Sequence, residues 1–111
     1  MEPIKFVTDI RSRVVQNDNI RYENLLESEK EINDSQWKEI VSIYRRLSKD
    51  EKNKFIDFLR LIQVNTVSHV FGILDGSTYL NEERETFQLI SNSDQAVING
   101  DLQDLFLEME E

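Results

Sequence analysis

Between Ser48 and Gly76 the chain encodes a single long helix, and that helix constrains everything else it can build. Ser48-Lys49-Asp50-Glu51 is a capping box: the Ser48 hydroxyl and the Glu51 carboxylate each satisfy a backbone N–H that a helix start leaves free. Phe55, Phe58, Leu59 and Ile62 follow at helical spacing, then Val67, Val70, Phe71 and Leu74. Ile56, Leu61, Val64 and Ile73 spread apolar surface around much of the circumference, the pattern of a helix with neighbours on several sides. Gly76, after Asp75, suits the left-handed residue that ends such a helix. Val64, Thr66 and Val67 are β-branched and mark where a kink or break would fall.

Little else interrupts the chain: Pro3 is its one proline, and Gly72, Gly76 and Gly100 are its three glycines. Pro3 sits where a first helical turn tolerates it, and Val7, Ile10 and Val14 predict a helix over 4–16 that stops at Asn17-Asp18-Asn19. Residues 20–33 fit either a short helix or a loop plugged into the core by Ile20, Leu25 and Leu26. Asp34 or Ser35 then caps a helix carrying Trp37, Ile40, Val41, Tyr44 and Leu47 on one face.

After Gly76 the period changes. Phe87 and Leu89 alternate with Thr86, Gln88 and Ile90, Ser91-Asn92-Ser93-Asp94 has turn composition, and Ala96-Val97-Ile98 is β-prone, which predicts a hairpin over about 85–99. Asn81-Glu82-Glu83 offers the competing possibility of a capped helix through residue 90. Asp101 is placed to N-cap a last helix whose apolar face is Leu102, Leu105, Phe106 and Met109. The expected fold is α+β, mostly α: one domain over 1–111, with a helical scaffold to about residue 76 and then the hairpin and terminal helix over 77–111. At 111 residues there is room for one core.

Charge is divided unevenly along this chain. Residues 1–60 hold 12 Lys/Arg and 12 Asp/Glu, whereas residues 61–111 set Arg84 alone against ten acids. The net charge of -9 therefore belongs to the C-terminal half. Such a surface disfavours nucleic acid and anionic membrane and favours basic protein partners. Asp75, Glu82, Glu83, Glu85, Asp101, Asp104 and Glu108 are the candidate contact residues. Glu108, Glu110 and Glu111 also crowd the negative end of the last helix, an arrangement that a basic partner would relieve. That helix either lies in another protein's groove or packs its apolar face into this chain's core.

Catalytic and metal chemistry find few footholds. There is no cysteine, and polar residues interrupt every apolar run well short of a membrane span, so a cytoplasmic setting is expected. His69 is the one histidine, too few for zinc, and Ser68 beside it points about 100° away around a helix. Asn92, Asp94, Asn99 and Asp101 lack the spacing of a calcium loop and suit turns and caps. No glycine-rich phosphate loop is present, and no cofactor is expected. Arg45, Arg46, Lys49, Lys52 and Lys54 form a basic cluster, but Asp50, Glu51 and Asp57 interleave it.

From Trp37 onward the chain resembles a family of small bacterial proteins with no established activity. The resemblance is carried by the Trp-led helix, by Phe71-Gly72-Ile73-Leu74-Asp75-Gly76-Ser77, and by Gly100-Asp101-Leu102-Gln103-Asp104-Leu105-Phe106-Leu107. It implies a compact helix-rich domain with a late hairpin. Taken with the charge, the expected function is non-enzymatic protein binding through the acidic half, with an immunity or antitoxin-like role as its concrete form. One alternative is an enzyme using carboxylates near Asp75 and the hairpin, with or without a divalent metal. The other is a homo-oligomeric structural module, a homodimer or larger, whose acidic face meets its own basic cluster.

Overall fold

The computed structural model describes residues 1–28 and 30–111. Its helices are α1 (Pro3–Ile10), a π-helical segment (Arg11–Gln16), α2 (Asn17–Glu27), α3 (Ser35–Arg45), α4 (Lys49–Asp75) and α5 (Leu102–Met109). The sequence signals of α3 and α4 hold in detail. The Asp34 carboxylate accepts the Trp37 N–H at 3.0 Å at the start of α3. In the Ser48 box, the Glu51 N–H donates to the hydroxyl at 3.2 Å and the Ser48 N–H donates to the carboxylate at 2.9 Å. The Ser48 backbone bond holds the Glu51 carboxyl below its usual range. α4 runs 27 residues without a break, so the β-branched stretch does not interrupt it. Gly76, at φ 83°, turns the chain out, while the Ser77 N–H reaches back to the Gly72 carbonyl at 2.9 Å.

The first helix differs from expectation. Asn17-Asp18-Asn19 does not stop it; α1, the π segment and α2 run on continuously to Glu27. Weak helix formers cost at most about 0.7 kcal/mol each, whereas burying Leu26 and stacking Tyr22 on Trp37 return more. The π segment also resets the buried face. Val7 and Val15 are both fully buried while Val14 is exposed. In a regular α-helix residues eight apart diverge by about 80°, and residues seven apart nearly coincide. Closing turns on the fifth residue accommodates one extra residue, so Val15 takes the direction that Val14 would have had.

These two long helices lie antiparallel. Phe6 meets Phe71 with ring centroids 6.2 Å apart, while Leu26 shares a core with Phe55, Ile56 and Leu59. Two cores result, one at each end of α4. One holds Val7, Val15, Phe71, Ile98, Leu102 and Phe106, closed by α5; the other holds Leu26, Val41 and Tyr44, closed by α3.

The expected hairpin over 85–99 is absent, and with it the α+β assignment: among the described residues there is no strand. Only an isolated antiparallel bridge joins Ile90 to Val97. The cause is Asn99, whose side chain occupies the groups a ladder would need. Its oxygen accepts the Leu89 N–H at 2.7 Å, and its amide donates to the Phe87 carbonyl at 2.8 Å and to the Leu74 carbonyl at the end of α4. Nor does Asn81 cap a helix. Its side chain accepts the Glu83 N–H at 3.1 Å, closing a turn in which Arg84 takes a φ of 58°.

Candidate partner-binding site

α5 is fixed in place from both ends. Asp101 stands at its N-cap position but makes no capping bond with its side chain. Asp75, the last residue of α4, does that work from outside: its carboxylate accepts the Gly100 N–H at 2.7 Å and the Gln103 N–H at 2.8 Å. Gln103 in turn donates its side-chain amide to the Ser68 carbonyl at 3.0 Å and to the Ser68 hydroxyl at 3.2 Å. Gly72 makes room for this contact, since a Cβ there would stand 2.9 Å from the Gln103 amide nitrogen. Ser68 is thereby buried and held, with His69 exposed beside it.

At the other end, Glu110 accepts from Arg11 and from Arg60, each at 2.7 Å. The negative end of α5 is therefore neutralised inside the molecule, and the basic partner that sequence reasoning left open for Glu110 is the chain's own pair of arginines. Arg11 and Arg60 lie 99 and 50 residues away, so no local spacing signals the cluster.

Leu102 and Phe106 are fully buried, so α5 gives its apolar face to this chain's own core. Its opposite face carries Asp101, Asp104 and Glu108, all exposed and, at spacings of three and four, in one row. None of the three has an ion-pair partner among the described residues. Asp75 adjoins this row but is half-buried and committed to holding α5. Glu82, Glu83 and Glu85 are exposed on the segment between α4 and α5, also without ion pairs among the described residues. Asp94 instead pairs with the chain's amino terminus, which holds its carboxyl below the usual range.

The basic cluster is redistributed as well. Arg45 and Arg46 line an open cleft of about 590 Å³ together with Lys30, Lys38, Ser42 and Glu31. Lys52 lies over the Tyr44 ring, 5.3 Å from its centroid. Lys49 and Lys54 are exposed on α4. Among the described residues, no three acidic or histidine side chains converge to hold a metal ion.

No family model, curated protein or solved structure matches this chain. Among the described residues, no helix is long and apolar enough to cross a membrane.

Proposed function

We propose that this chain is a non-enzymatic, cytoplasmic protein-binding domain that presents the acidic face of α5 to a basic partner, in the manner of an immunity or antitoxin protein. The observation that carries this reading is the row Asp101, Asp104 and Glu108: exposed, unpaired among the described residues, and mounted on a helix anchored through Asp75, Gln103 and Glu110. Charges held by a rigid element bind without the cost of ordering a tail. They also accelerate encounter with an oppositely charged surface.

The test is cross-linking in the cells that express the protein, identification of the captured partner, and titration of the purified pair. The expected partner is basic. Its affinity should fall with rising salt, and Asp101→Asn, Asp104→Asn and Glu108→Gln together should weaken it at least about tenfold. An affinity indifferent to salt and to these three substitutions would contradict the proposal. The immunity version further requires that the partner be harmful when expressed alone and harmless when this chain is co-expressed.

A further inference from the structure

The cleft beside α3 gathers positive charge in a chain whose net charge is -9. Lys30, Lys38, Arg45 and Arg46 line it, against the single carboxylate of Glu31. None of the four cations has an ion-pair partner among the described residues. Lys38, Ser42, Arg45 and Arg46 fall at helical spacing, so they make one wall from one side of α3. The stretch Lys30-Glu31-Ile32, which precedes α3, makes the other.

Both walls are fixed by the fold. Ile32 packs against the core of Leu26, Val41 and Tyr44, and Val41 belongs to that core and to the cleft lining alike. Arg45 donates to the Ser28 carbonyl, which ties α3 to the start of the facing wall. A guanidinium carries five N–H donors, so that contact leaves Arg45 others to offer. Ile32 and Val41 add apolar lining among the charges. The volume of about 590 Å³ suits a small molecule, whose sites span about 300–1,000 Å³.

We propose that this cleft binds an organic diphosphate, a small molecule with two linked phosphate groups on an organic body, as in a nucleoside diphosphate. Four cations less one carboxylate leave a surplus that matches the charge of such a ligand, about -3 at neutral pH. Planar guanidinium forks pair with phosphate oxygens two at a time, and Arg45 and Arg46 supply two of them. Ile32 and Val41 give the organic body a surface that a bare anion would leave empty. A nucleic acid strand fits poorly, because phosphates beyond the cleft would meet a chain of net charge -9. So does an acidic peptide, which on leaving the cleft would pass Glu39, exposed on the adjoining surface of α3. The chain has no glycine-rich phosphate loop, so side chains do the gripping.

Isothermal titration calorimetry with ADP as the probe, in magnesium-free buffer at near-physiological salt, tests this. ADP should bind at one site, tighter than pyrophosphate and at least about tenfold tighter than AMP or inorganic phosphate. Lys38→Gln and Arg46→Gln together should weaken ADP at least about tenfold, while Glu31→Gln should strengthen it. Arg13→Gln with Lys54→Gln makes the same change in net charge outside the cleft and should leave the affinity within about twofold. All five side chains are exposed, so the far-ultraviolet helical signal should persist in every variant. No binding at millimolar ADP would overturn the proposal, as would AMP or pyrophosphate binding as tightly as ADP. Equal weakening by the two double substitutions, or a hexaglutamate peptide that binds tighter than ADP, would overturn it too. Neutralising Asp101, Asp104 and Glu108 on α5 should not weaken ADP binding, so this proposal and the partner-binding one fail separately.

Discussion

Asp75 and Asp101 have the same chemistry and opposite roles. Asp101 holds the N-cap position in sequence, yet Asp75, from the end of α4, receives the two backbone N–H groups at the start of α5. Asp75→Ala should therefore cost about 1–2 kcal/mol in urea denaturation. Asp101→Ala should change stability by less than about 0.5 kcal/mol. The reverse order would contradict the capping assignment. Tyr44 supplies a pH signature. Burial, then the bond it donates to Glu27, pushes its hydroxyl from 10.0 up to about 12. The folded chain thus keeps a proton that the unfolded chain releases. The resulting stabilisation is complete below pH 10 and is lost as pH rises toward 12. In chemical denaturation at stepped alkaline pH, Tyr44→Phe should flatten that decline; an unchanged slope would show that Tyr44 is not its source. Neither residue could be assigned these roles from sequence. Asp75 lies 28 residues from Gln103, and Tyr44 lies 17 from Glu27.

At the scale of elements, legibility follows the range of the deciding interaction. α3 and α4 were legible because their caps are made by residues three apart, Asp34 with Trp37 and Ser48 with Glu51. Gly76 ends α4 by its own conformational freedom. The apolar face of α5 was legible for the same reason, as a stripe of Leu102, Leu105, Phe106 and Met109. The alternation over 85–99 points to a hairpin that the fold lacks, because Asn99 competes for the ladder from outside the alternating pattern, and its contact with Leu74 spans 25 residues. The first helix runs past Asn17-Asp18-Asn19 because those weak helix formers cost less than the burial of the distant Leu26 returns. It buries Val15 in place of Val14 because the π segment shifts the phase of a regular 3.6-residue period. Deleting Val14 should convert that segment to regular α-helix and keep Val7 and Val15 on one face. Helical content and thermal midpoint should then stay near those of the parent. A collapse of the midpoint would mean that the π turn does more than reset the phase, for instance by placing Arg11 against Glu110.

The whole molecule is elongated, measuring 48 × 32 × 30 Å, and α4, about 40 Å long, sets its axis. α3 and the basic cleft sit at one end, α5 and its acid row at the other. The uneven charge along the sequence thus becomes a polarity in space. That much follows from where the acids fall in the chain. Which of them stay free did not: Asp75, Asp94 and Glu110 are committed to contacts made only on folding, leaving Asp101, Asp104 and Glu108 as the exposed row on α5. The central claim is that this row stands on a fixed surface and not on a fraying end. Hydrogen exchange of the amide protons of Leu102–Met109 tests it most directly. The structure predicts protection in α5 close to that of Val64–Leu74 in α4, because both close the same core and are joined through Asp75, Ser68 and Gln103. Exchange of α5 at the rate of an unstructured peptide, while α4 stays protected, would contradict it.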